Sequence, residues 1–220
     1  MFVVIFEVQP KEDRRSDYLD LAKQLRPKLE AIDGFIDNER FGSKRKEGRL
    51  LSLSTWRDEK AVVRWRAHGE HHGAQETGRF EVFEDYHIRV GEVISDTAPP
   101  IAIDEKRFDE TVTGEAKFCT ITEVSPGNSK PSPRPDPPLG QLQPEPRANG
   151  LLGHELFESI TAPGKLLILA SWRDEFAARE WTPGSSDVTG AVRHRQVRII
   201  RDYGMFDRLE APQFYPDVTK

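Results

Sequence analysis

The chain has 220 residues, of which 36% are hydrophobic and 31% charged, and it carries a net charge of −5. That length holds one large domain or two of about 100 residues each, and the acidic balance gives no basic footprint for nucleic acid. One cysteine, Cys119, excludes an internal disulfide and a cysteine-rich metal site, so a reducing, cytoplasmic setting without a membrane span is expected.

In chain order, "FVVIFEV" (Phe2–Val8) is β-branched and aromatic and reads as a strand. In "SDYLDLAKQLRPKLEAIDG", Tyr18, Leu21, Ala22, Leu25, Leu29 and Ile32 recur at helical spacing, and Asp33-Gly34 closes the helix. Pro27 predicts a kink on its polar side. "FIDNERF" and "RLLSLSTW" form a hairpin around a charged turn, "GSKRKEG". A second helix is expected from about Asp58 to Thr77, then a strand, "EDYHIRVGEV". The order β-α-β-β-α-β is the ferredoxin-like unit.

The chain then repeats itself. "LLSLSTWRDEKAVVRW" (Leu50–Trp65) returns as "LLILASWRDEFAAREW" (Leu166–Trp181), and the same offset aligns "FVVIFEVQP" with "FCTITEVSP". The first strand is apolar on both sides, Phe2, Val4, Phe6 and Val8 on one and Val3 and Ile5 on the other. Helices cover only one face of such a sheet, so a second sheet of the same make must cover the other. The expected fold is α+β: two ferredoxin-like repeats forming an intrachain pseudo-dimeric α+β barrel, with further pairing of two chains left open. The expected domains are 1–94, a linker 95–115, a degenerate second copy 116–209 and a tail 210–220.

The second copy is eroded. Residues 127–148 hold seven prolines where the first copy has its helix, and proline lacks the amide donor a helix needs. The Pro-rich loop 126–148 reads as a surface flap, or as bait for a proline-reading partner in a non-catalytic scaffold. Pro183 and Gly184 cut the second helix short, so any chemistry is expected in the first copy.

Four of the six histidines are His68, His71, His72 and His87. On one continuous helix at about 100° per residue, Trp65, His68 and His72 share a face with Ala61 and Val62, and His71 sits at its flank. A histidine beside a tryptophan at a cavity suits acid–base work or a heme ligand. His68 and His72 also have i, i+4 metal spacing, but no glutamate falls between them in the HExxH manner and no third ligand presents itself, so no metal site is expected. Alternatively Trp65 is a core anchor and the histidines end its helix favourably. Glu7 and Glu123, at matching strand positions, either face each other in the barrel, raising one pKa, or sit at strand ends in water.

The tryptophan pair, the histidines after it and the aromatic last strand make "LLSLSTWRDEKAVVRWRAHGEHHGAQETGRFEVFEDYHIRV" resemble the antibiotic biosynthesis monooxygenase family. The resemblance implies a dimeric α+β barrel and either a cofactor-independent oxygenase of aromatic phenols or a heme-binding, heme-degrading protein. It implies a small aromatic substrate oxidised by O2 with no cofactor required, Trp65 shaping the pocket, His71 or His72 acting as base (or as heme ligand in the alternative), and Asn38 holding substrate. His68, Phe41, Trp56 and Tyr86 complete the expected lining.

Overall fold

A strand with apolar side chains on both faces needs two covers, and the barrel supplies them. The computed structural model of the chain describes residues 1–126, 142–184 and 190–218. The first repeat gives β1 (Phe2–Pro10), β2 (Phe35–Ser43), β3 (Leu50–Trp56) and β4 (Phe83–Asp96). The second gives β5 (Phe118–Ser125), β6 (Leu151–Ser159), β7 (Leu166–Trp172) and β8 (Ala191–Gly204). They close into one antiparallel barrel in the order β1-β3-β2-β6-β7-β5-β8-β4. The halves join twice, where β2 meets β6 over Phe41–Ser43 and where β4 runs beside β8.

The barrel interior is built from matched pairs. Val3, Ile5, Phe41, Leu51 and Leu53 pack there with Cys119, Ile121, Phe157, Leu167 and Leu169, their counterparts in the second repeat. Each fully buried side chain of this size contributes about 1.5–3 kcal/mol. The other β1 face, Phe2, Val4, Phe6 and Val8, packs outward under the helices.

Glu7 and Glu123 are buried, at 6% and 8% exposure, rather than facing water at strand ends. Each is ion-paired. Arg89 and Arg49 hold Glu7, and Arg195 and Lys165 hold Glu123. Burial works against the charge of both carboxylates, but the facing arginines outweigh it, and both are held below the ordinary glutamate value. The raised pKa weighed for a facing pair is therefore corrected: neither is a base.

Outside the first sheet lie α1 (Arg15–Glu30), α2 (Glu59–Arg66) and α3 (Gly69–Thr77), followed by one π turn, Gly78–Val82. α1 buries Tyr18, Ala22 and Leu29 and keeps Pro27 exposed. The repeated "WRDE" has a structural reason. Trp56 and Trp172 are core residues, and Asp58 and Asp174 cap the following helices by accepting the amide hydrogens of Ala61 and Ala177. Gly34 and Gly150 precede β2 and β6 with φ of 92° and 75°. A Cβ there would fall 2.7 Å and 2.5 Å from the Cβ atoms of Ala61 and Ala177, so each position requires glycine twice over.

The expected single helix over 58–77 is two. It breaks at His68, whose backbone is extended (ψ 128°), just before Gly69. Glycine is about 1 kcal/mol poorer than alanine inside a helix, and here it marks the joint.

In the second repeat α4 (Glu175–Glu180) ends just before Pro183 and Gly184. Residues 127–141, with most of the prolines, lie outside the described residues, while Leu142 is fully buried against Val124 and Ile168 on the outer face. Segment 95–115 packs Ile101 and Ile103 on the barrel core, and the amides of Lys106 and Arg107 donate to the buried Glu92. The C-terminal stretch is tied back too: Glu210 accepts from Thr111 Oγ1 and the Val112 amide. Among the described residues no helix is long and apolar enough to cross a membrane.

Candidate functional site

On the outer face of the first sheet the helices do not pack down completely. They leave a cavity of about 200 Å³ between α1, α2, α3 and strands β1–β4 and β8. Its apolar wall includes Val4, Phe6, Leu25, Val62, Trp65 and Phe83, and its polar wall is Asn38, Arg40, Ser52 and Ser54 on β2 and β3. The β2–β3 register sets Asn38 opposite Ser54 and Arg40 opposite Ser52, so all four point to one side.

His71 stands at this wall because of the helix break. Restarting the helix at Gly69 lays its ring flat on Trp65, with centroids 4.1 Å apart and planes 15° from parallel. His71 Nδ1 lies 2.9 Å from the Trp65 carbonyl oxygen. A carbonyl only accepts, so Nδ1 carries the proton and Nε2 keeps its lone pair, with no hydrogen bond among the described residues. Burial pushes the His71 pKa down to about 4, against the opposing pull of the Trp65 carbonyl. The ring is neutral at physiological pH. Burial also pushes Tyr203, on the same wall, up to about 12, so its phenol keeps its proton.

The other residues expected at the site divide clearly. Asn38 is on the wall, and its Nδ2 donates to Ser52 Oγ at 3.0 Å and to the Leu53 carbonyl at 3.1 Å. His72 is not on it. It is exposed, stacks on Tyr215 and hydrogen-bonds its hydroxyl at 3.0 Å. His68 caps the break beside Trp65 without lining the cavity. The shared face drawn for Trp65, His68 and His72 on one continuous helix is thereby corrected, because the break at His68 resets the helical phase. Trp56 is fully buried and donates to Ser54 Oγ at 2.9 Å from behind the wall. Tyr86 packs with Phe6 and Phe83 and accepts from Arg79 and Arg208. Phe41 lies inside the barrel, at a second cavity.

That second cavity is larger, about 420 Å³, and sits at the β2–β6 seam. Its charges already neutralise one another: Lys165 bridges Glu39 and Glu123, and Arg195 holds Glu123. The outer cavity holds the imidazole and is the candidate site.

Sequence reasoning passed over Arg40, Ser52 and Ser54. The alternation that placed Leu51 and Leu53 inside was the available signal for putting these polar neighbours together outside. No cluster of three or more metal-ligating side chains occurs among the described residues. His71 Nε2 is the imidazole nitrogen at this wall that could take a heme iron. A cavity of about 200 Å³ is nevertheless small beside the roughly 300–1,000 Å³ of pockets enclosing drug-sized ligands.

The family model described as antibiotic biosynthesis monooxygenase matches residues 1–77. A protein of Pyricularia oryzae named jasmonate monooxygenase ABM is 41% identical over 225 residues, covering 100% of both chains. The uncharacterized protein YqjZ of Bacillus subtilis is 30% identical over 92 residues, covering 42% of this chain and 78% of its own. A solved structure of an anthrone oxidase-like protein aligns over 96% of both chains at 12% identity, with a TM-score of 0.38.

Proposed function

The chain belongs to the antibiotic biosynthesis monooxygenase family, and from that premise we propose that it oxidises a small, mainly apolar substrate with molecular oxygen in the outer cavity of its first repeat, with no dedicated cofactor. The observation that carries this reading is His71: a neutral imidazole, fixed by Trp65, with a free Nε2 on a largely apolar wall. Its role is to accept the substrate proton.

Without a cofactor the substrate supplies the electrons. Deprotonation leaves an anion that transfers one electron to O2. Recombination at a carbon that still bears a hydrogen, a deprotonated methylene or a ring C–H of a phenolate, forms a peroxide. Loss of water turns that carbon into a carbonyl, so one oxygen atom is retained and the other leaves as water. An apolar wall around the reacting pair keeps bulk water from quenching the anion.

The basicity of His71 limits the substrate. With its pKa at about 4 and a phenol near 10, transfer runs uphill by about 8 kcal/mol. That fits under the barrier of about 16 kcal/mol for turnover near 10 per second. A phenol, or a C–H made comparably acidic by neighbouring carbonyls, is within reach, whereas an ordinary ketone α-hydrogen is not. Hydroquinones and other phenols therefore form one arm of the test. Jasmonate, from the name of the Pyricularia relative, has only ordinary ketone α-hydrogens and forms the other, and oxygen uptake confined to it overturns proton abstraction by His71.

The experiment is incubation with 18O2 and each substrate, following oxygen uptake and product mass. Incorporation of one labelled atom by purified protein stripped with chelator, abolished in His71→Gln, is the expected result. Absence of uptake across both arms, or activity that returns only with added flavin, heme or metal, overturns the reading.

A further inference from the structure

The outer cavity carries positive charge with no negative charge to meet it. Arg40 projects from β2 with its guanidinium 5.9 Å from the centre of the Tyr18 ring. Its Nε is buried without a hydrogen-bond partner, and no carboxylate among the described residues lies within ion-pair distance of it. Arg66 and Arg201 line the same cavity, likewise outside every ion pair among the described residues. The one carboxylate on the wall, Glu59, is held by Arg107 Nη1 at 2.7 and 2.6 Å. Arg49, Arg79, Arg89 and Arg195 share such an Nε but bond through their other nitrogens, whereas the Arg40 guanidinium has no hydrogen bond or ion pair among the described residues. Since a partly buried cation without a partner is costly, it is available to an anion.

The second repeat shows that the fold does not need this arginine. At the position of Arg40 it has Leu156. Ser52 and Ser54 become Ile168 and Ala170, and Leu142 is buried against Ile168. The barrel closes equally well around this apolar version. Two further donors flank Arg40 in the first repeat. Ser52 Oγ accepts from Asn38 and Ser54 Oγ accepts from Trp56, which leaves each hydroxyl hydrogen free to point into the cavity.

We infer that the cavity binds a monocarboxylic acid with an apolar skeleton. Its carboxylate sits on Arg40 and the Ser52 hydroxyl, and its carbon frame lies against Val62, Trp65 and Phe83. A guanidinium fork matches a carboxylate bidentately, which orients the acid end over β2 and leaves the other end to His71. The inference names the substrate class for the proposed oxygenase and rests on the outer cavity being its site. It makes Arg40 a specificity residue and Asn38 and Trp56 positioning residues for the two hydroxyls.

The test separates binding from turnover. Dissociation constants are measured by calorimetry for full-length protein with a panel of apolar monocarboxylic acids, jasmonic acid among them, each paired with its methyl ester. Wild type is expected to prefer at least one acid over its ester by about tenfold or more, the factor that a charge-assisted bond of about 1.5 kcal/mol gives. Arg40→Gln is expected to abolish that preference with no loss of thermal stability, and Arg40→Lys to restore part of it. No acid preferred over its ester, or a preference that survives in Arg40→Gln and disappears in Arg66→Gln, overturns the inference. Acid binding that depends on Arg40 without oxygen uptake leaves the anchor standing and removes the oxygenase reading. Oxygen uptake indifferent to Arg40 does the reverse.

Discussion

His71 and His72 are neighbours in sequence and opposites in setting, and substitutions should tell them apart. Replacing His71 with Gln removes the proton acceptor and is expected to lower kcat/KM by about 10²–10⁴-fold, while His72→Ala, which disturbs only contacts off the cavity wall, with Tyr215, Gln213 and Glu76, leaves it unchanged. Steady-state kinetics on the substrate that passes the oxygen test decide this. The same histidine shapes the response to acid. Folded His71 and His194 resist protonation until about pH 4 because both are buried, whereas the unfolded chain takes up those protons near 6.5. Between these values the unfolded state binds more protons, so stability falls as pH drops, by up to about 1.4 kcal/mol per pH unit for each histidine. Glu7 and Glu123, depressed in the folded state, add a further loss below about pH 4.5. Calorimetric melting at steps from pH 7 to 4 is expected to show this decline, with a shallower slope above pH 4.5 in His71→Gln. Removing one partner of a buried pair is a sterner change. Glu7→Gln strands Arg89 and is expected to cost about 3–5 kcal/mol, read as a lower denaturation midpoint.

Among the elements, the strands were legible and the second helix was not. Two-sided apolar patterning in "FVVIFEV" already required a cover for each face, and Val3 and Ile5 do turn inward while Phe2 and Phe6 turn out. The stretch 58–77 kept helical composition throughout, so periodicity carried across a joint that only Gly69 betrayed. That one error moved His72 onto the wall and left His71 at its flank, the reverse of what the structure has. Arg40 was invisible for another reason: a charged residue on a strand reads as solvent-facing unless the helix layer above it is known. The joint itself can be tested. Gly69→Ala favours a continuous helix, which would pull His71 off Trp65. Its expected outcome is a loss of kcat/KM comparable to that of His71→Gln, with thermal stability unchanged or raised. Gly34→Ala has the opposite profile. Left-handed backbone and the 2.7 Å approach to Ala61 predict a loss of more than about 1 kcal/mol.

At the level of the whole molecule, the barrel core belongs to neither half alone. Val3, Ile5, Phe41, Leu51 and Leu53 are sealed by residues of the second repeat, so a fragment of residues 1–96 would expose them. That fragment is expected to be a dimer or an aggregate by light scattering, and full-length protein to unfold in one cooperative transition. Ile121→Ala, placed in the second repeat, is expected to lower the stability of the entire chain by about 2–5 kcal/mol, with fluorescence of the first-repeat tryptophans falling in step.

Fusing the two walls into one polypeptide has a further effect. When identical subunits assemble, any change of codon is mirrored across the axis, and whatever improves one wall is forced upon its twin. Here Arg40 and Leu156 occupy matching places with opposite character. Heredity can therefore sharpen one side for a ligand and harden the other for support.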